Sequence, residues 1–170
     1  MPRPPTDEEF ADLVQASWAR LYRTAYLMLG DAAEAEDLVQ TALAKTYANW
    51  RKVRSIEAAP AYARTTLANT AASWFRKKGW RNEQPTALLP ETAVHTDPTE
   101  RPTVVTALAE LPQRQRAVVV LRYYEDMSVA EVADALGVTT GTVKSQTSEA
   151  LSKLRVSLGD SVVPQEALHD

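Results

Sequence analysis

The chain has 170 residues, 45% of them hydrophobic, which suits one ordinary domain or two small ones. It has no cysteine and two isolated histidines, His95 and His169, so we expect no disulfide and no metal site. Its apolar stretches fall well short of the roughly 20 residues that cross a bilayer, and its proline-rich, acidic N-terminus is unlike a signal peptide, which predicts a cytoplasmic protein.

Helical periodicity runs through the first half of the chain and predicts three helices. The first is expected over roughly 7–29, where Thr6 and Glu9 can form a capping box. The second is expected over about 31–50 and the third over about 60–78. Tryptophans on the apolar faces of these helices are expected in the core, with stacking on a base as the alternative.

The third predicted helix coincides with a block of positive charge. The net charge of the chain is −3, yet residues 51–82 carry eight basic side chains and one acidic. The segments 1–50, 83–102 and 103–170 are each net acidic. A concentrated basic block is typical of phosphate neutralisation, and a solvated helix face is the alternative that charge alone leaves open.

Proline and acidic residues then interrupt the helical pattern. Residues 82–102 contain four prolines, which predicts an extended linker. Four more helices are predicted after it, over about 104–111, 112–124, 128–136 and 139–158. We therefore predict an all-α chain with two small helical domains, 1–81 and 103–158, followed by a loose tail over 159–170.

The last two predicted helices have the pattern of a helix-turn-helix. Ser128 and Glu131 predict a capping box, and Gly137 permits a left-handed turn between the helices. If Val143 is buried, the helical rotation turns a row of small polar side chains, with Lys144 at its margin, outward toward a major groove. An ordinary helical hairpin without DNA contact is the alternative.

Three motifs, which follow one another along the chain, resemble those of the extracytoplasmic-function sigma factors of bacterial RNA polymerase. Residues 35–40 (Ala-Glu-Asp-Leu-Val-Gln) resemble the helix that binds the coiled coil of the polymerase clamp. Residues 62–78 resemble the helix that reads and melts the minus-ten element. Residues 111–116 and 141–145 resemble the module that reads the minus-thirty-five element. The resemblance spans nearly the whole chain and implies a promoter-specific initiation factor that is not an enzyme.

The resemblance implies three sets of functional residues. Those expected to bind core polymerase, with Leu38 on an exposed strip, are Glu36, Asp37, Leu38, Gln40 and Leu43. Those expected to contact the minus-ten element are Arg54, Arg64, Asn69, Arg76, Lys77 and Lys78. Those expected to contact the minus-thirty-five element are Thr140, Gly141, Thr142, Lys144, Ser145, Ser148 and Glu149. The implied partners are core RNA polymerase and promoter DNA, with an anti-sigma protein as a further candidate.

Some features depart from the family pattern or have a second explanation. Gln146 and Thr147 stand where many relatives carry arginine and leucine, so an altered minus-thirty-five preference is expected. The acidic start of the second helix is also explained by the helix macrodipole, and the linker by a plain spacer role. A stand-alone helix-turn-helix regulator is one alternative function, but it would not explain the basic third helix. A helical hydrolase is another, but its metal site would need Glu-x-x-His pairs, and the first 94 residues contain no histidine.

Overall fold

The structure is a computed structural model that describes residues 3–78, 103–160 and 163. The predicted linker, Trp80 and most of the predicted tail lie outside these residues. Within the described segments the chain forms helices and loops without any strand, which confirms the all-α prediction. None of the helices in these segments is long and apolar enough to cross a membrane.

The first helical group contains α1 (Asp7–Leu29), α2 (Ala32–Ala48) and α3 (Ala59–Lys78), close to the predicted bounds. The predicted capping box of α1 is present, because the Thr6 hydroxyl accepts from Glu9 N–H at 3.2 Å while the Glu9 carboxylate accepts from Thr6 N–H at 2.7 Å. That backbone hydrogen bond holds the pKa of Glu9 below its ordinary value. Gly30 ends α1 in the left-handed conformation, at φ 73°.

The connection between α2 and α3 consists of two short 3₁₀ turns, Trp50–Lys52 and Ile56–Ala58. Trp50 is buried, and its indole N–H donates to the Thr6 carbonyl at 2.9 Å. The Phe10 ring packs edge-on against it at 5.2 Å between centroids. Trp50 is therefore a core residue rather than a stacking surface, and it holds in place the loop that leads into α3.

The second helical group contains α4 (Val104–Ala109), α5 (Gln113–Val119), α6 (Val129–Leu136) and α7 (Thr140–Leu158). Instead of the single helix predicted over 112–124, α5 widens into a π-helical turn at Val120–Tyr124. The wide turn closes with Glu125 N–H donating to the Val120 carbonyl at 3.1 Å. Helix periodicity alone does not distinguish an α turn from a π turn.

The two helical groups pack directly against each other and share one hydrophobic core. In this packing α1 contacts α4 and α5, while α3 contacts α6. The prediction of two small helical units is confirmed, but the sequence pattern did not indicate that their faces would meet. The shared core brings the basic helix α3 next to the helix-turn-helix.

Candidate nucleic-acid interface

The helix-turn-helix is built by two caps and one glycine. Ser128 and Glu131 form the predicted capping box at the start of α6, which holds the pKa of Glu131 below its ordinary value. Gly137 ends α6 in the left-handed backbone conformation, at φ 67°, in which a residue with a side chain would be strained. Thr139 then caps α7 by accepting from Thr142 N–H at 3.1 Å. These local signals set the angle at which α7 leaves the turn.

The outward face of α7 has the predicted composition. Val143, Thr147, Ala150, Leu151 and Leu154 are buried on one side of the helix. The exposed residues on its other side and around its N-terminus include Thr140, Gly141, Lys144, Ser145, Ser148 and Glu149. The helical phase predicted from Val143 therefore matches the structure. The exposed face offers hydroxyl groups and one cation to a groove, with little bulk to keep a duplex at a distance.

Glu149 belongs to a polar chain that begins on α5. Its carboxylate accepts a hydrogen bond from Gln115 Nε2 at 2.9 Å, and Gln115 Oε1 accepts one from Lys153 at 3.2 Å. Gln115 is buried, whereas Glu149 is exposed. The orientation of this glutamate is therefore determined by a glutamine of the Leu-Pro-Gln-Arg-Gln-Arg motif.

The residues predicted to contact the minus-ten element lie on α3 and on the loop before it. Asn69 and Lys77 are exposed on α3, and Arg54 is exposed between the two 3₁₀ turns. The three cations at positions 76–78 occupy the last turn of α3, where the helix macrodipole favours positive charge. Burial of the opposite face, which includes Leu67 and Phe75, orients this basic side.

Three of these six side chains have partners inside the protein. Arg64 Nη1 donates to the Glu125 carbonyl at 3.3 Å, and Arg76 Nη1 donates to the Leu136 carbonyl at 3.2 Å. Lys78 forms a 3.0 Å salt bridge with Glu34. The first two contacts connect α3 to the second helical group, and they engage one guanidinium nitrogen each of the partly buried Arg64 and the exposed Arg76.

The residues predicted to bind core polymerase divide into exposed and buried ones. Glu36, Asp37 and Gln40 are exposed on α2, where Gln40 Nε2 donates to Glu36 Oε1 at 3.2 Å. Leu38 and Leu43 are buried, with 0% and 6% exposure, on a helix that packs against α1 and α3. The expectation of an exposed Leu38 was therefore wrong: these two leucines support the helix from within the core.

Sequence reasoning missed the polar residues that join the two helical groups. The Arg116 guanidinium is buried and donates to the carbonyls of Leu108, Ala109, Leu111 and Met28 at 2.9–3.3 Å. Burial lowers the pKa of Arg116. Glu125 is also buried and lies beside Thr24, Arg20 and Arg64. A run of polar residues such as 113–116 resembles a surface segment in sequence, so no local signal indicated this burial.

Comparison with known proteins identifies the two helical groups. The family model described as Sigma-70 region 2 matches residues 13–81, and the model described as Sigma-70, region 4 matches residues 107–156. The RNA polymerase sigma-E factor of Streptomyces coelicolor is 41% identical over 154 residues, covering 88% of this chain and 86% of that protein. The ECF RNA polymerase sigma factor SigW of Bacillus subtilis is 26% identical and covers 90% of each chain.

A solved structure has a similar fold. The sigma factor RpoE, in its complex with the anti-sigma factor NepR from Bartonella quintana, matches with a TM-score of 0.64 and 26% sequence identity. The match covers 88% of this chain and 96% of that one. With both region models in order and a 41% identical relative along most of its length, the chain belongs to the sigma-70 family of RNA polymerase sigma factors, within the extracytoplasmic-function group.

Proposed function

We propose that the chain binds core RNA polymerase through α2, reads and melts the minus-ten element with α3, and reads the minus-thirty-five element with α7. It acts in the cytoplasm, where the polymerase acts, as a DNA-recognition subunit without enzymatic activity or cofactor. Residues 1–81 and 103–158 are the two functional domains, and 82–102 links them. Membership of the sigma-70 family supports each of these roles.

The observation that carries the proposal is the outward face of α7. A helix that follows a left-handed glycine turn exposes Ser145, Ser148 and Lys144 opposite a fully buried seam. Hydroxyl groups can bond to base edges, and a lysine at the margin can bind a phosphate. Thr140, Gly141, Thr142 and Glu149 complete the surface, and Gln115 positions the carboxylate of Glu149.

The proposed minus-ten surface combines a side chain for base edges with cations for phosphates. Asn69 is an exposed amide on the middle of α3, and Arg54 is exposed in the loop at its head. Arg64, Arg76, Lys77 and Lys78 extend the basic character toward the end of the helix. Turning a base out of the duplex costs a few kcal/mol, which hydrogen bonds and stacking on this surface would offset.

The proposed polymerase contact is the exposed polar strip of α2. Glu36, Asp37 and Gln40 form this strip, while Leu38 and Leu43 hold its backbone rigid from the core. Charged side chains on a rigid helix suit electrostatic docking with a basic partner. We further propose an anti-sigma protein as a partner, because the RpoE match was solved in complex with the anti-sigma factor NepR.

Run-off transcription tests the whole proposal. Purified chain is added to core RNA polymerase and a library of promoters with randomised minus-ten and minus-thirty-five elements, and the transcripts are sequenced. We expect transcripts from a small subset of promoters that share both elements, and none from core polymerase alone. Equal transcription with and without the chain would contradict the proposed function.

A further inference from the structure

A buried carboxylate lies where the two helical groups meet. Glu125 follows the π-helical turn and is 1% exposed. Its carboxylate accepts a hydrogen bond from the Thr24 hydroxyl of α1, with Arg20 Nε at 3.5 Å and Arg64 Nη1 at 3.9 Å. All three partners belong to the first helical group, whereas Glu125 belongs to the second. Glu125 would lose these partners if the two groups separated.

The same two arginines also bind backbone and ring atoms of the second group. Arg20 Nη2 donates to the Tyr124 carbonyl at 3.3 Å, and its guanidinium lies 5.9 Å from the centre of the Tyr124 ring. Arg64 Nη1 donates to the Glu125 carbonyl at 3.3 Å. A second link lies further along α3, where Arg76 donates to the carbonyl of Leu136, the last residue of α6. Carbonyls at a helix C-terminus attract cations, which favours this link.

We propose that Glu125 is an intramolecular latch, which holds the two helical groups closed and occupies Arg64 in place of a promoter phosphate. The proposal rests on the proposed function, because it takes Arg64 and Arg76 as contacts of minus-ten DNA. Carboxylates and phosphates both form charge-assisted hydrogen bonds with guanidinium groups. While Arg64 Nη1 faces Glu125 and its carbonyl, that nitrogen is not available to a DNA phosphate.

The latch is reversible because its charges are compensated in both states. In the closed state Glu125 is paired with Arg20 and Arg64, and in an open state all three become hydrated. The apparent affinity for DNA then falls in proportion to the open fraction of molecules. A partner that holds the groups apart, such as core polymerase, would release Arg64 and Arg76 together.

The first test removes the charge of the latch. In the full chain, Glu125→Gln weakens the pairing with both arginines, and Asp126→Asn removes the same charge from the neighbouring exposed side chain as the matched control. Asparagine tolerates the left-handed backbone of position 126, at φ 53°. We expect Glu125→Gln to bind a labelled mixed-sequence single strand about 10-fold more tightly than the control does.

A second variant separates the latch from simple charge effects. Arg20→Ala removes a cation that is 60% exposed and lies outside the proposed DNA surface. Loss of a positive charge would by itself weaken DNA binding, whereas release of the latch would strengthen it. We expect Arg20→Ala to bind the same strand more tightly than the wild type. The circular dichroism of both variants should keep the helical content of the wild type.

Energy transfer between two dyes measures opening without DNA. Because the chain has no cysteine, Ala44→Cys on α2 and Ser152→Cys on α7 place the labels at exposed sites. We expect lower transfer in Glu125→Gln and Arg20→Ala than in Asp126→Asn and the wild type. Unchanged transfer in both latch variants would overturn the latch. Lower transfer with unchanged DNA binding would support the latch and overturn the proposed role of α3 in DNA binding.

Discussion

The motif at the start of α2 contains both exposed polar residues and a buried leucine. In the stretch 35–40, Glu36, Asp37 and Gln40 are exposed while Leu38 is buried. In the proposed polymerase contact the polar members would meet the partner, and the buried leucine stabilises the helix that presents them. Replacing an exposed member should change binding without changing the fold.

Asp37→Lys is expected to weaken assembly with core polymerase by about 10-fold or more, because like charges would then face each other across the proposed contact. The measurement is a binding titration with labelled core enzyme. Asp12→Lys makes the same charge change on an exposed position of α1 and serves as the control. If both variants bound core polymerase as the wild type does, Asp37 would have no part in docking.

Helix α3 carries the proposed minus-ten surface, and the exposed amide of Asn69 at its middle offers a direct test of that proposal. We expect Asn69→Ala in the reconstituted holoenzyme to slow promoter opening more than it weakens duplex binding, because its proposed partner is an extruded base. A fluorescent base analogue in the minus-ten element reports the opening. Thr65→Ala, at an exposed position one turn earlier on α3, is the control. Unchanged opening by Asn69→Ala would contradict a base-reading role.

On the proposed DNA-reading face of α7, we expect Lys144 to bind a phosphate and Ser145 to read a base. Lys144→Ala should weaken binding across all promoter sequences and reduce the slope of its salt dependence by about 1. Ser145→Ala should instead change which bases are preferred, by about 1–3 kcal/mol at the position it reads. Selection of holoenzyme complexes on a randomised minus-thirty-five element measures both. Altered base preference with Lys144→Ala but not with Ser145→Ala would contradict this division of roles.

At the scale of the whole molecule, Arg116 joins the two helical groups. Its guanidinium donates to three carbonyls of α4 and the following turn and to the Met28 carbonyl of α1. We expect Arg116→Met to lower the free energy of unfolding by about 3 kcal/mol, because several buried carbonyls lose their donors. Urea denaturation of the full chain measures this loss.

The controls for Arg116 distinguish its geometry from its charge. Arg116→Lys keeps the charge but cannot reproduce the planar fork of donors, so we expect it to recover little of the lost stability. Arg23→Met replaces an exposed arginine of α1 and should change stability by less than about 0.5 kcal/mol. Equal effects of Arg116→Met and Arg23→Met would contradict the structural role of Arg116.

Local sequence signals determined the helices of this protein and the phase of α7. Thr6 and Ser128 cap helices where the sequence predicts capping boxes, since a cap depends on neighbours within three residues. The buried position of Val143 likewise follows from the helical period. The family was also identified from motifs in the sequence, and the comparisons confirm it.

Only the tertiary structure decided which side chains the two helical groups withhold from solvent. In the sequence Leu38 fits an exposed strip and Arg64 fits a free cation, whereas in the structure Leu38 is buried and Arg64 pairs with Glu125 of the second helical group. Glu125 and Arg116 gave no local signal of burial, because Glu125 pairs with Arg20, 105 residues earlier in the chain, and Arg116 with the Met28 carbonyl, 88 residues earlier. Burial of a charge depends on long-range contacts that compensate it, and those contacts form only when the helices pack together.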